Sequence, residues 1–439
     1  MGEDASIPGR KGRRRNAENT KLMTTTISTP AATEAPTPAG AAPARAPLPN
    51  RLASMDAYRG LVMFLMMGEA FDFGRLARNF PESGLWRFLA WHQSHVEWIG
   101  CSLHDLIQPS FSFLVGVALP FSLAGRLARG ESWGKMTGHA FWRALLLILL
   151  GVWLRTGPAR SMTYWTFEDT LSQIGLGYGF LFLLGFRAVR WQWVAFGVLV
   201  VGYWAAFVAY PLPGADFDYA KVGVSADWLR EHGLTGLAAH WQKNSNLAWA
   251  FDTWWLNLFP REKVFTHNGG GYSTLSFIPT LATMVLGLIA GGVLRSVRTP
   301  AEKVRWLVLA GLAGLAAGWL ANATGLCPTV KRIWTPAWVL FSGGWCCLFL
   351  AAFYTVMDWR QHRAWAFPLI VIGMNSIAAY CMAHLFEGFI SRNLTVNLGS
   401  KIFGFAGPGY AGSIHGAATF LVLWLILLWM YRRKIFLRI

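Results

Sequence analysis

Charge and cysteine are both scarce in this chain. Only 14% of its 439 residues are charged, whereas 54% are hydrophobic. The acidic residues number 22 against 39 basic ones, which gives a formal net charge of +17. The five cysteines form neither a CxxC pair nor a Cys/His spacing typical of zinc, so no metal site is expected. With 24 Trp and 30 Phe, this composition argues against an ordinary soluble domain.

The sequence contains many long apolar stretches. Ten of them run from about residue 60 to the end of the chain, each long enough to cross a bilayer. We therefore predict an all-α fold, a polytopic transmembrane helix bundle of about ten spans. The predicted spans are 58–74, 103–125, 138–156, 169–187, 191–212, 273–295, 304–323, 334–357, 365–387 and 413–432.

The first 50 residues contain no apolar run. A basic start is followed by an Ala/Pro/Thr-rich segment rather than by an apolar core, so we do not predict a signal peptide. Residues 1–50 are predicted to be a disordered cytoplasmic tail, because such a composition buries too little apolar surface to order the chain. Residues 51–439 then form the transmembrane domain, in which the long segment 213–272 is predicted to fold over the outer face.

The distribution of the basic residues predicts the orientation. A net charge of +17 would suggest nucleic acid as the partner of a soluble protein, but here most Lys and Arg lie at the termini and in short loops such as "GRLARGESWGK" and "YRRKIFLRI". The positive-inside rule then places both termini in the cytoplasm. The expected partner is membrane lipid and not nucleic acid.

The densest group of polar residues lies in or just before the second span, on its outer side. It comprises His92, His95, Glu97, His104 and Asp105. A histidine beside a carboxylate suits general acid–base chemistry, because its ordinary pKa is close to neutral pH. The alternative is an interfacial cluster that anchors the helix at the headgroups.

Carboxylates also occur at both ends of the first span. Glu69 and Asp72 lie near its outer end, where they can supply a partner for His95 or mark the end of a short helix. Asp56 and Arg59 lie three residues apart at its start, a spacing that allows an ion pair across one helical turn.

Two further polar groups interrupt the apolar pattern. Lys331, Arg332 and Trp334 form a basic and aromatic cluster in an outer loop, which suits a phosphate or carboxylate but also simple interfacial anchoring. Asn375 and His384 lie within the ninth span, where hydrogen bonding between helices is the commoner role of such residues.

Several of these segments together resemble a known family. The runs "RLASMDAYRG", "SHVEWIGCSLHDLIQPSFSFLVG", "TLSQIGLGY", "GYSTLSFIPTLATMVLGLIAG", "VKRIWTPAWVL" and "GMNSIAAY" resemble, in this order, segments of the heparan-alpha-glucosaminide N-acetyltransferase family and its bacterial relatives. The resemblance covers residues 51–439. It implies a membrane enzyme that moves an acetyl group from cytoplasmic acetyl-CoA to an amino sugar on the far side.

The resemblance also implies site residues. His95 falls on the family's active histidine and Asp105 on the Asp of its Asp-Leu motif, and His95 then acts as a base or as an acyl carrier. No metal is implied. The acceptor contacts predicted with them are Glu69, Asp72, Trp98, Lys331, Trp334, Asn375 and His384. The contacts predicted for acetyl-CoA are Arg59, Arg143, Gln173 and Arg295.

The chain departs from the family pattern at two places. Glu69 and Asp72 stand near the end of the first span, where the family commonly has Asn, and Gln173 is followed by Ile174 rather than Arg. These departures favour a cell-envelope sugar over heparan sulfate, and a bacterial inner membrane as the location. The competing interpretations are a transporter or flippase without acyl transfer, and a non-catalytic scaffold. The acceptor, the acyl group and the oligomeric state stay open, with a homodimer as one option.

Overall fold

The computed structural model of the chain describes residues 52–157 and 160–437, all within one compact unit, Leu48–Ile439. The predicted tail, residues 1–50, lies outside these residues. Over the described ranges the regular structure is helical, apart from one isolated β-bridge between Ile99 and Val330. The all-α prediction is therefore confirmed.

The α-helices are numbered in chain order. They are α1 (Ala53–Met67), α2 (Phe73–Asn79), α3 (Gly84–Gln93), α4 (Ile107–Ala128), α5 (Trp133–Thr156), α6 (Thr170–Leu184), α7 (Val189–Ala209), α8 (Ala226–His232), α9 (Leu247–Trp255), α10 (Phe277–Arg295), α11 (Pro300–Ala323), α12 (Pro336–Phe353), α13 (Phe367–Met374), α14 (Ser376–Leu385), α15 (Glu387–Leu398) and α16 (Ala411–Arg432). Short 3₁₀ turns precede α4 and α10, and a π-helical turn, Tyr354–Trp359, extends α12.

Seven of these helices are long and apolar enough to cross a membrane, namely α4, α5, α7, α10, α11, α12 and α16. An eighth crossing results if α13 and α14, which meet at an angle of 68°, count as one broken span. Helices α1 and α6 occupy two more predicted stretches but have 15 residues each, fewer than the roughly 20 that a straight span needs. The fold is thus a polytopic helical bundle, and the count of ten full spans stays a prediction.

Local sequence signals explain where key helices begin. Asp169 caps α6 by accepting hydrogen bonds from the backbone N–H groups of Leu171 and Ser172. Thr299 and Glu302 form a reciprocal capping box at the start of α11, which also has Pro300 in its first turn. These caps satisfy backbone donors that would otherwise have no partner, and so fix where each helix begins.

Helices α4 and α10 pack closely together, because glycines let their backbones approach each other. A Cβ atom on Gly116 would lie 1.9 Å from the carbonyl oxygen of Met284, and one on Gly287 would lie 2.0 Å from that of Phe113. No larger residue fits at either position without moving a backbone. The tight contact holds α4 in place, and α4 with its preceding turn carries much of the candidate site.

The bundle has two chemically different ends. We call the end that contains His95 and Lys331 the histidine end, and the end that contains Arg59 and Arg126 the basic end. At the basic end, the carboxylate of Asp358 accepts hydrogen bonds from the first backbone N–H groups of α1, at 3.2 and 3.1 Å.

Candidate active site

A cavity of about 460 Å³ opens at the histidine end; we call it the histidine cavity. It is lined by Met63, Met66, Glu69, His95, His104, Ile107, Gln108, Phe111, Arg155, Glu168, Asp169, Thr170, Asn268, Gly270, Tyr272, Lys331, Tyr380 and His384. Of the residues predicted from sequence, Glu69, His95, Lys331 and His384 therefore face one common space. The cavity collects side chains from distant parts of the chain, as an active site commonly does.

His95, Asp105 and Lys331 form a contiguous group on the wall of this cavity. The Nδ1 atom of His95 lies 2.8 Å from Oδ1 of Asp105, and the Nζ atom of Lys331 lies 3.2 Å from the same oxygen and 3.0 Å from Nδ1. The side chains of Asp105 and Lys331 are buried, whereas that of His95 is 40% exposed. His95 is thus the most exposed member of the group, and both His95 and Lys331 line the cavity.

The second oxygen of Asp105 is fixed by the loop before it. Oδ2 accepts hydrogen bonds from the backbone N–H and the hydroxyl of Ser102, at 3.0 and 3.1 Å, and from the backbone N–H of Val96, at 3.3 Å. These bonds orient the carboxylate so that Oδ1 points at His95 and Lys331. The loop sequence "HVEWIGCSLHD" therefore folds around its own aspartate.

The tautomer of His95 decides which of its ring nitrogens is free. Nδ1 lies between the Asp105 carboxylate, which only accepts hydrogen bonds, and the Lys331 ammonium, which only donates them. In the tautomer with the proton on Nδ1, His95 and Lys331 both donate to Asp105, and Nε2 keeps its lone pair and has no hydrogen bond among the described residues. Burial lowers the pKa of His95, and the Lys331 charge adds to this, although the bond to Asp105 opposes it. The ring is therefore a neutral base at neutral pH.

A second histidine–carboxylate pair stands beside the first. Nε2 of His104 lies 2.8 Å from Oε1 of Glu69, and the rings of His104 and His95 are 4.7 Å apart. Of the two roles predicted for Glu69, the partnership with His95 is not found, because Asp105 occupies that position and Glu69 pairs with His104. The alternative, the end of a short helix, agrees with α1 ending at Met67. The Glu69 side chain is 56% exposed, so it presents negative charge to the cavity.

The opposite wall contains charged residues that the sequence analysis missed, Arg155, Glu168 and Asp169. Burial raises the pKa of Glu168. The signal available in the sequence was a pair of adjacent acids, "FEDT", directly before an apolar helix. Asp169 serves as the α6 cap, and the same position brings it to the cavity wall.

A second cavity, of about 600 Å³, lies toward the basic end; we call it the basic cavity. Its charged lining consists of Arg59, Arg126, Arg129 and Arg143, with His139 beside them. Arg143 donates a hydrogen bond to the Tyr178 hydroxyl at 3.2 Å. Such a concentration of guanidinium groups suits the phosphates of a nucleotide. Two residues predicted to contact acetyl-CoA, Arg59 and Arg143, thus lie together.

The two cavities follow one another along the same helices. Each is lined by residues of α1, α4, α5, α6 and α14, and Phe111 of α4 lines both. On α4 the lining runs from Ile107 to Arg126, a separation of 19 residues, or about 28 Å along a helix axis. This is close to the hydrocarbon thickness of a bilayer.

Four predicted acceptor contacts, Asp72, Trp98, Trp334 and Asn375, lie outside the lining of both cavities. Trp98 and Trp334 are buried; the Trp98 ring packs 5.7 Å from that of Trp228, and Trp334 donates from its indole to Thr283 at 3.2 Å. Asp72 caps α2. Their proposed contact with an acceptor stays a prediction that this geometry does not favour.

Asn375 has a structural partner instead. Its side chain donates to the carbonyl of Ile435 at 2.9 Å and accepts from the N–H of Leu437 at 3.2 Å, at the break between α13 and α14. Leu437 lines the basic cavity, so Asn375 is not brought to His95. The predicted contact of Asn375 with an acceptor is therefore not supported by the geometry.

The other two predicted acetyl-CoA contacts are not brought to the basic cavity. Gln173 is buried, and its amide donates to the carbonyls of Phe167 and Thr274, at 2.8 and 3.2 Å. Arg295 ends α10 and is absent from the lining of either cavity. Both assignments remain predictions. By contrast, the predicted ion pair of Asp56 with Arg59 is present, at 3.6 Å.

Fold and site together define a polytopic helical membrane protein with a histidine–aspartate–lysine group facing a cavity in the bundle. No protein-family model matches the chain. It is similar to human heparan-alpha-glucosaminide N-acetyltransferase, with 25% identity over 378 residues, or 78% of this chain and 54% of that protein. The mouse protein of that name is 24% identical over 376 residues, or 77% and 54%. These matches confirm the predicted family resemblance, although the chain spans about half the length of the curated relatives.

Proposed function

We propose that the protein is a transmembrane acetyltransferase that takes acetyl-CoA at the basic end and acetylates an amine at the histidine end. The observation that carries this proposal is the unengaged Nε2 of His95, which faces a cavity that continues along the same helices into an arginine-lined one. The curated relatives are named as N-acetyltransferases, which supports the same reaction class.

The basic cavity supplies the donor site in this proposal. Arg59, Arg126, Arg129 and Arg143 bind the phosphates of CoA, because guanidinium groups form paired, charge-assisted hydrogen bonds with them. The acyl arm then extends past Phe111, where the two cavities meet. The thioester carbonyl comes to rest beside His95.

The chemistry requires one proton acceptor and one leaving thiolate. The acceptor amine, entering as an ammonium, first releases one proton to solvent and attacks the thioester carbon as the free amine. Nε2 of His95 takes the second proton from the attacking nitrogen, the C–S bond breaks, and the imidazolium returns that proton to the CoA thiolate. Asp105 stabilises the imidazolium and orients the ring, and Lys331 holds Asp105 in place. His95 can instead carry the acetyl group on Nε2 between two such steps.

The acceptor in this proposal is an amino sugar or another amine on a glycan. Glu69 presents its exposed carboxylate to the histidine cavity, where an ammonium group would be attracted to it. His384 and Tyr380 line the same side. Glu69 stands where the family commonly has Asn, and this difference supports an envelope sugar rather than heparan sulfate as the acceptor.

The orientation also belongs to this proposal. The short loops at the basic end are rich in Lys and Arg, so this end faces the cytoplasm, where acetyl-CoA is made available, and both termini lie there. The location would be a bacterial inner membrane, with ten crossings if α1, α6 and the bent pair each count as one. Lipid surrounds the bundle, and a homodimer stays an open option.

The test is acetyl-CoA turnover by the purified full chain in detergent, with and without glucosamine. CoA release should require the amine and disappear in His95→Ala, while His232→Ala, a histidine outside both cavities, should leave it unchanged. In sealed vesicles, acetyl-CoA should support acetylation only when it is added on the side of the membrane that the basic end faces. Release that is independent of the amine, or that survives in His95→Ala, would reject the proposal. A burst of CoA release without acceptor would identify His95 as an acyl carrier.

A transporter or flippase remains the second candidate, because one observation favours it. The 68° break between α13 and α14 is the kind of discontinuous helix that substrate sites of carriers use. A carrier would move its cargo across vesicles without acetyl-CoA and would tolerate His95→Ala.

A further inference from the structure

Glu168 lines the histidine cavity and takes part in none of the steps above. Its half-buried carboxylate accepts a hydrogen bond from its own backbone N–H, and no ion pair joins it to another residue that the structure describes. Arg155 lines the same cavity and acts on Glu168 as a nearby charge. A carboxylate withdrawn from water without an ion pair costs stability, and such groups are concentrated at functional sites.

The backbone on both sides of Glu168 is fixed by buried contacts. The carbonyl of Phe167 accepts a hydrogen bond from the Gln173 amide at 2.8 Å, and the Phe167 side chain is buried. On the other side, Asp169 caps α6 and accepts hydrogen bonds of 2.9 and 3.2 Å from two backbone N–H groups of that helix. Glu168 is thus held at the cavity wall by a rigid frame, which is the support that a reacting group requires.

Charged groups of both signs surround this carboxylate. The neighbouring charged and titratable side chains are those of Arg155, Asp169, Asp252, Arg261 and Tyr272. Burial raises the pKa of Glu168, and the negative charge of Asp169 adds to this, whereas Arg155 opposes it. A carboxylate with a raised pKa is a stronger base than an ordinary glutamate, and a base works best when its pKa is near the pH of the reaction.

Acetylation of an ammonium removes two protons from one nitrogen. His95 takes the second proton and returns it to the thiolate, so the first proton has to leave the site. Three carboxylates belong to the described lining of the histidine cavity. Glu69 is bound to His104 at 2.8 Å, and Asp169 caps α6. Glu168 is the carboxylate of this lining that has no such task.

We propose that Glu168 is a second catalytic base, which takes the first proton from the acceptor ammonium before His95 takes the second. One N–H bond of the ammonium breaks, its electron pair stays on nitrogen, and the proton forms the neutral carboxylic acid of Glu168. The free amine then attacks the thioester, and Glu168 passes its proton to solvent through the opening of the cavity. This inference rests on the proposed function, because it assigns the base for one step of that reaction.

The test compares kcat/KM for glucosamine in Glu168→Gln and in the unmodified chain, at pH 6 and at pH 9. An amine with a pKa of about 8 is about 1% uncharged at pH 6 and mostly uncharged at pH 9. Without the base, the protein can use only the uncharged amine, so Glu168→Gln should lower kcat/KM up to about 10²-fold at pH 6 and approach the parent at pH 9. KM for acetyl-CoA should stay unchanged, since Glu168 lies outside the basic cavity. Glu231→Gln, an exposed acid outside both cavities, is the matched control.

A structural role of Glu168 gives a different pattern. Loss of the same size at pH 6 and pH 9 would show that Glu168 acts through the fold, and would overturn the inference. Glu168→Asp keeps a carboxylate, so it should lose less than Glu168→Gln at pH 6 and also recover at pH 9. If Glu168→Gln does not fold, this comparison of Glu168→Asp at the two pH values decides by the same criterion.

His95→Ala separates this inference from the proposed function. It should remove turnover at both pH values, because the second proton requires His95 whether the amine enters charged or uncharged. If the parent acetylates glucosamine and Glu168→Gln matches it at pH 6, the inference fails and the proposed function stands. If the parent acetylates no glucosamine at either pH, the proposed function fails and this inference fails with it.

Discussion

The Nδ1 atom of His95 lies 2.8 Å from Oδ1 of Asp105, ten residues along the chain. The loop between them turns back on itself, since its own N–H groups and the Ser102 hydroxyl bind the other carboxylate oxygen. The position of the imidazole therefore depends on one buried aspartate. This relationship gives the first prediction.

Asp105→Asn should lower kcat about 10²- to 10⁴-fold, the usual range for a positioned general base, because an amide can donate to Nδ1 and favour the wrong tautomer. The matched control is Asp72→Asn, which keeps an oxygen to cap α2 and lies outside both cavities. Turnover of acetyl-CoA with glucosamine measures both. Equal losses in the two variants would show that Asp105 acts through the fold alone.

Lys331 should set the pH dependence of the reaction. Burial and the Lys331 charge hold the pKa of His95 below its ordinary value, so kcat/KM should persist below pH 6.5 and fall only as the pH drops through that lowered pKa. Lys331→Met removes the neighbouring cation, so the acid limb should move to higher pH. A profile that shifts to lower pH, or not at all, would contradict this electrostatic account.

Arg143→Gln should raise KM for acetyl-CoA about tenfold, because it removes one charge-assisted contact from the basic cavity. Arg295→Gln should leave this KM unchanged, since Arg295 lies outside the lining. KM for glucosamine should stay constant in both. An equal effect of the two substitutions would point to long-range charge rather than to a phosphate contact.

Asp252 should make stability depend on pH. Burial raises its pKa to about 7, and one carboxylate oxygen accepts from the N–H of Thr274 at 2.9 Å. The folded state therefore holds its proton more tightly than the unfolded state. The resulting stabilisation is complete below about pH 4 and is lost as the pH rises through 7, with about 1 kcal/mol lost between pH 6 and pH 8.

Asp252→Asn keeps an acceptor for Thr274 and removes the charge, so it should abolish this loss. The apparent unfolding temperature in detergent, compared at pH 6 and pH 8, measures the effect. If the difference between the two pH values is the same in the variant and the parent, another group is responsible.

Gly287→Ala should destabilise the bundle by about 1–3 kcal/mol, because its Cβ would lie 2.0 Å from the Phe113 carbonyl oxygen. Gly292→Ala, on the same helix, meets nothing within 4 Å and should be neutral or stabilising. Thermal unfolding in detergent compares the two. Equal stability of the variants would show that α4 and α10 can separate at no cost.

The helices could be predicted because apolar runs of this length are typical of membrane-spanning or fully buried helices. The ends of α1 and α6 were harder to predict, because the polar residues beside them belong to the candidate site rather than to the membrane interface. His95, Asp105 and Lys331 were identified by motif, but their contact joins segments more than 200 residues apart, which no local pattern encodes.

The wrong or unsupported assignments have a common physical origin. Glu69 was one candidate partner for His95, but its carboxylate pairs with His104 instead. Trp334 and Asn375 form hydrogen bonds within the fold, whereas the buried Trp98 ring packs against Trp228 and its indole N–H has no hydrogen-bond partner among the described residues. Sequence shows that such a residue needs a partner and does not show whether the partner is a ligand.

Phe111 is the residue that the linings of the two large cavities share, within the part of the chain that the structure describes. Under the proposed function, donor and acceptor recognition are therefore encoded by almost separate sets of positions. Substitutions can accumulate in the lining of one cavity without altering the lining of the other. Lineages could thus adopt new sugars while keeping the same nucleotide-bearing donor, and a protein engineer could change acceptor preference by the same route.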